Sequence, residues 1–130
     1  MKRVRIEKKV QVRLDKLTFA EIAEITESEV ISGHEGLERV FSKFYIGAMT
    51  IENIIRYLTK GDLLIVGDRE DIQLLALEYN NAILVTGGFR VSDRVKELSR
   101  LKQFPVMVTT YDTFTVAAMI NQALSNVRIK

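Results

Sequence analysis

Cysteine and tryptophan are absent from the 130 residues, and proline and histidine occur once each. Without cysteine there is no disulfide framework and no thiolate metal site. A single histidine, His34, also excludes a Cys-His pair and any multi-histidine metal centre. His34 lies in a Gly-His-Glu-Gly stretch with no evident orienting partner, so no catalytic residue is expected. The chain has no glycine-rich phosphate loop ending in Gly-Lys-Ser/Thr, no Gly-x-Gly-x-x-Gly fingerprint and no Gly-x-Ser-x-Gly elbow. Asp68, Glu70, Asp71 and Asp112 are the conceivable carboxylate set for magnesium, but helix capping accounts for two of them, and neither a metal nor a cofactor is expected. No apolar run approaches the roughly 18 residues that span a bilayer, and the basic start is not followed by the apolar run of a signal peptide. A soluble, cytoplasmic chain without a membrane partner is the expectation.

Charge is nearly balanced, at +2 overall with 28% charged residues, so the chain as a whole carries no strong field for nucleic acid. Residues 1–16 differ. They hold seven basic and two acidic residues, with Val4, Ile6, Val10, Val12 and Leu14 at even positions. That alternation suits an edge strand better than a disordered nucleic-acid-binding arm, and it resembles the end of an upstream segment. The expected organisation is a basic leader at 1–16, one domain at 17–126 and a tail at 127–130.

Beyond the leader the pattern becomes regular. Thr18 and Glu21 form a capping box ahead of a short helix, and Glu29–Ser32 reads as a strand. A glycine-punctuated loop, a short helical or irregular stretch at 37–41 and a strand at 44–49 follow. Thr50 opens a helix bearing Ile51, Ile54, Ile55 and Leu58. Leu63–Val66 and Ala82–Val85 are apolar throughout, the mark of strands buried on both faces of a sheet. Between and after them the pattern predicts helices at 69–79, capped by Asp68, and at 93–101, capped by Ser92. A strand at 106–108 led by Pro105 and a helix from Thr113 to about Ser125, capped by Asp112, complete the series. Strands alternating with helices predict an α/β fold of three layers, with a mostly parallel sheet of about five strands flanked by helices.

In such a sheet the loops leaving the carboxyl ends of the strands share one edge, where ligands bind. Those loops carry Asp68 and Arg69, then Thr86, Gly87 and Gly88, then Thr110 and Asp112. Together these seven are the candidate ligand-binding residues for a nucleotide or phosphate, with Arg69 as a fork of donors and the glycines exposing backbone N–H groups. The alternative is structural: the aspartates cap helices, the glycines serve turns, and Arg69 pairs with a neighbouring carboxylate. Phe41, Phe44, Tyr45, Met49, Phe89, Phe114 and Met119 are more than a small core needs, so some of them are candidates for a homodimer face.

The order Gly67-Asp68-Arg69, a helix, an apolar strand ending in Thr86-Gly87-Gly88, then Pro105-Val106 and Thr110-Tyr111-Asp112-Thr113-Phe114 resembles the DRTGG domain family over Leu17 to Leu124. Asp68, Arg69, Thr86, Gly87 and Gly88 match its five characteristic residues. The resemblance implies a non-catalytic regulatory or dimerisation module, with a fold similar to the amino-terminal domain of HPr kinase/phosphorylase. Such domains occur beside CBS pairs, in certain inorganic pyrophosphatases and ahead of the catalytic part of some phosphotransacetylases. In the pyrophosphatases the CBS pair binds the adenine nucleotides, and the DRTGG part is mainly a dimerising spacer. Leu17–Ile22 and Tyr45–Met49 look most like the version in bacterial proteins that carry a helix-turn-helix segment, a DRTGG domain, a CBS pair and a hotdog domain. Its implied partners are therefore a second copy and those neighbouring domains, without direct nucleic-acid binding by the domain itself.

Overall fold

The computed structural model describes residues 16–41 and 43–129, with side chains to Ser125. The expected leader strand and most of the leader lie outside these residues. Thr18 closes the predicted capping box: its hydroxyl oxygen accepts from Glu21 N at 3.1 Å, and its own N–H donates to Glu21 Oε1 at 2.8 Å. The box starts helix α1 (Phe19–Ile25) directly after a two-residue strand, β1 (Leu17–Thr18), which pairs antiparallel with β3 (Val40–Phe41). The stretch at 37–41 therefore ends in a strand rather than in a helical turn. Phe19 and Phe41 stack across this pair with ring centroids 5.1 Å apart.

The main sheet has five strands: β2 (Glu29–Ser32), β4 (Phe44–Ile46), β5 (Leu63–Val66), β6 (Ala82–Val85) and β7 (Val106–Val108), in the order β2-β7-β6-β5-β4. The run from β4 to β7 is parallel, and β2 joins antiparallel to β7 with a register irregularity between Val30 and Ser32. Every residue of β5 and β6 is buried, as their unbroken apolar runs required. Helices α3 (Glu70–Glu78) and α4 (Asp93–Lys102) pack on each other and on the sheet, while α5 (Thr113–Ile129) packs on β5 and α1.

Several local expectations change. Helix α2 is a single turn (Ile51–Ile54) capped by Thr50; Ile54 is buried but Ile55 is exposed. Strand β4 stops at Ile46, and Gly47 N then bonds Ile65 O at 2.7 Å. The stretch after Gly33 is a 3-10 turn (His34–Gly36). Gly33 has φ +71, and a Cβ there would overlap the carbonyl oxygen of Phe104. Helix α5 runs past Ser125 to Ile129, and α4 ends at Gln103 in the left-handed region. Beneath α4, buried Ser99 donates to Phe104 O at 2.6 Å and accepts from Ser32 Oγ at 3.0 Å, tying β2 to the helix.

Candidate functional site at the carboxyl edge of the sheet

The three loops expected to share an edge do so, because they leave the parallel neighbours β5, β6 and β7. Their construction differs from loop to loop. Thr86 follows β6 as a buried residue: its N–H donates to Val66 O at 2.9 Å, and its hydroxyl lies 2.9 Å from Thr113 Oγ1. Gly87 and Gly88, at φ +77 and +70, take the left-handed backbone that glycine adopts without a Cβ clash. The turn they make points both amides at the neighbouring loop: Gly87 N donates to Tyr111 O and Gly88 N to Thr109 O, each at 2.9 Å. Of the two readings left open for these glycines, ligand donors or turn formers, the bonds match the second: both N–H groups are engaged inside the protein. Buried Thr109 continues the chain of bonds, its hydroxyl donating to Thr26 O at 2.9 Å. Tyr111 OH donates to Glu27 Oε2 at 3.1 Å, a bond that raises the phenol's pKa.

Asp68 and Arg69 stand outside this lattice. Both are exposed. Asp68 does not cap α3, since the capping position falls on Arg69, whose side chain makes no cap bond. The Arg69 guanidinium instead donates to Asp71 Oδ2 at 2.9 Å and to Met49 O at 3.3 Å, linking α3 to the loop after β4. This structural pairing is the alternative that the sequence left open, and the Arg69 bond holds the Asp71 carboxyl below its ordinary pKa. Asp112 does cap its helix: its Oδ1 accepts from Thr115 N at 2.7 Å, which lowers its pKa as well. Thr110 is exposed beside Gly88.

Of the seven candidates, then, Thr86, Gly87 and Gly88 form an internally bonded turn, while Asp68, Arg69, Thr110 and Asp112 present polar groups to solvent. Among the described residues no three His, Asp or Glu side chains gather as a metal would need, and no described helix is long and apolar enough to cross a membrane. The aromatic candidates separate as clearly. Phe41 is buried, and Phe44, Tyr45 and Met49 pack against the core, whereas Phe89 and Phe114 are 45% and 83% exposed. Phe89 covers the turn, with a ring atom 3.0 Å from where a Gly87 Cβ would sit, and Phe114 follows the Thr113 that bonds Thr86.

The chain matches the DRTGG domain over residues 21–123, most of its length. It belongs to the DRTGG domain family. The uncharacterized protein YtoI of Bacillus subtilis is 44% identical over 127 residues, which cover 98% of this chain and 29% of YtoI. A cobalt-dependent inorganic pyrophosphatase of Clostridium perfringens is 35% identical over 83 residues, 63% of this chain and 15% of that enzyme. Among solved structures, the CBS and DRTGG domains of the regulatory region of Clostridium perfringens pyrophosphatase, complexed with the activator diadenosine tetraphosphate, superpose with a TM-score of 0.72 at 29% identity, covering 82% of this chain and 46% of that one. The chain thus spans less than a third of these curated relatives, and the domain is homologous to the regulatory region of the pyrophosphatase.

Proposed function

We propose that this DRTGG domain is a non-catalytic regulatory module of a larger cytoplasmic bacterial protein, and that it pairs with a second copy through the carboxyl edge of its sheet. The observation that carries the pairing is the contrast at that edge. The donors of the Thr86-Gly87-Gly88 turn are saturated internally, while Phe89 and Phe114 project beside it. Burying a phenylalanine side chain is worth about 1.5–3 kcal/mol, and a two-fold contact uses each ring twice. The solved CBS–DRTGG region supports a CBS pair as the neighbouring domain, and the resemblance to helix-turn-helix and hotdog proteins extends that arrangement. Sedimentation equilibrium over a wide concentration range tests the pairing. A dimer that Phe114→Asp converts to monomer is expected; a wild-type chain that stays monomeric at high concentration overturns it.

A second reading, a nucleotide or phosphate sensor, is favoured by the relative's regulatory region having been solved with a nucleotide activator. Asp68, Arg69, Thr110 and Asp112 are the exposed polar groups that such a ligand would meet at the edge. A thermal-shift screen with nucleotides and phosphate tests it: a ligand at 100 times its dissociation constant adds about 2.7 kcal/mol of stability. No rise with any of them removes this reading.

A further inference from the structure

Beside the edge, on the α4 side of the sheet, the connection from β6 to α4 stands away from β7 and β2 and leaves an open groove of about 640 Å³. Its size falls within the roughly 300–1,000 Å³ usual for small-molecule sites, and it lies at the carboxyl end of parallel strands, where open α/β sheets take their ligands. Ile31, Val91 and Val108 give it an apolar floor, and Phe89 adds a half-exposed ring. Two cations, Arg90 and Lys96, line it, with the carboxylate of Asp93 on the same side. Arg90 is exposed and has no partner among the described residues, and Lys96 stands 4.0 Å from an Asp93 carboxylate that is itself 98% exposed. Contact at that distance with so exposed a carboxylate leaves the ammonium largely uncommitted. On the β2 side Glu29 supplies a carboxylate with no partner among the described residues.

An apolar floor, a ring for stacking, a cationic side and an opposed acceptor together define a ligand class. We propose that this groove, rather than the Asp68–Arg69 edge, binds a planar, amine-bearing anion of the size of a nucleoside monophosphate. The base rests on the apolar floor against Phe89, its exocyclic amine donates to Glu29, and Arg90 and Lys96 hold the phosphate. Arg90 suits that task because its planar fork can bond two phosphate oxygens at once. The inference rests on the sensor reading above but not on pairing with a second copy, and since it commits Phe89 to the ligand it leaves Phe114 as the ring for such a contact.

The test is a titration of the isotopically labelled full chain with AMP, followed by amide chemical shifts, with inorganic phosphate as the second probe. AMP is expected to give saturable shifts centred on 88–96, Ile31 and Val108, with phosphate weaker. Arg90→Ala, at an exposed position, is expected to weaken AMP roughly tenfold or more, as loss of a charge-assisted hydrogen-bond pair should, with the rest of the spectrum unchanged. Glu29→Gln is expected to weaken AMP and leave phosphate untouched. Shifts centred instead on Asp68, Arg69 and Thr110 would overturn the groove while keeping the sensor. No saturable shift at millimolar AMP would remove both. Equal binding of AMP and phosphate, or AMP binding unaltered in Arg90→Ala, would overturn the ligand class.

Discussion

Two loops leave adjacent parallel strands at the same edge, each supplying residues of the family's characteristic five, and they are built in opposite ways. The loop after β6 is fastened by backbone: three consecutive N–H groups, from Thr86, Gly87 and Gly88, end on carbonyls of Val66, Tyr111 and Thr109. The loop after β5 is held by side chains: Arg69 bonds Asp71 and Met49 at its surface, and buried Gln73 donates its amide to Gly67 O at 2.8 Å. A shared motif therefore divides by physics. Thr86, Gly87 and Gly88 are framework whose removal disturbs the fold, whereas Asp68 and Arg69, both at the surface, can change with little structural consequence.

The sharpest way to break this contrast is a pair of glycine substitutions. Gly87→Ala is expected to cost about 1–2 kcal/mol for its left-handed backbone alone. The new Cβ would in addition meet a Phe89 ring atom at 3.0 Å. Gly67→Ala has ordinary backbone and its nearest such atom at 4.0 Å, so it is expected to be neutral or stabilising by up to about 1 kcal/mol. Urea denaturation of the two variants decides, and equal losses would end the distinction. Next in size, Thr86→Val keeps the shape but leaves the buried hydroxyl's partners unanswered, for an expected loss of about 1–2 kcal/mol by the same measurement.

Arg69→Ala breaks an exposed ion pair and is expected to cost no more than about 1 kcal/mol. Its clearer readout is Asp71, whose carboxyl should rise toward its ordinary pKa in an NMR titration; an unmoved Asp71 would mean that Arg69 does not hold it. The sign follows from linkage. Because the folded pKa of Asp71 is lowered, its contribution to stability is present above the ordinary carboxylate pKa and is lost as pH falls through the lowered value. Asp112 behaves the same way through its bond to Thr115 N, and that part should survive in Arg69→Ala. Smallest of all, Asp68→Asn should lie within about 0.5 kcal/mol of wild type, since its carboxylate caps no helix.

What could be read from the chain follows how local each determinant is. The buried runs Leu63–Val66 and Ala82–Val85, the Thr18–Glu21 box and the Ser92 and Asp112 caps are written within a few residues, and each appears as expected. The antiparallel placement of β2 and the pairing of β1 with β3 depend on partners elsewhere in the chain, which no short pattern specifies. The same holds at the site. Gly87 and Gly88 read equally well as ligand donors or as turn formers until Tyr111 and Thr109 are placed beside them. Phe114, one of seven candidates for an exposed face, could have been singled out: Val116, Ile120 and Leu124 recur every four residues and are buried, and a residue two places before that stripe falls on the outer face of the helix. Arg90 and Lys96 could not, because their groove needs β2 and α4 side by side.

Strand β2 also sets an order of assembly. The units from β4 to β7 add strands in sequence, each beside the one before, so every new pairing closes a short loop. Strand β2 emerges early in the chain, but its neighbour β7 comes last, and the bonds that fix it, Ser32 to Ser99 and Thr109 to Thr26, join residues 67 and 83 positions apart. Strand β2 must therefore wait, with that edge unpaired, until nearly the whole domain has been synthesised, and an element made early within the domain is the last to find its place in folding.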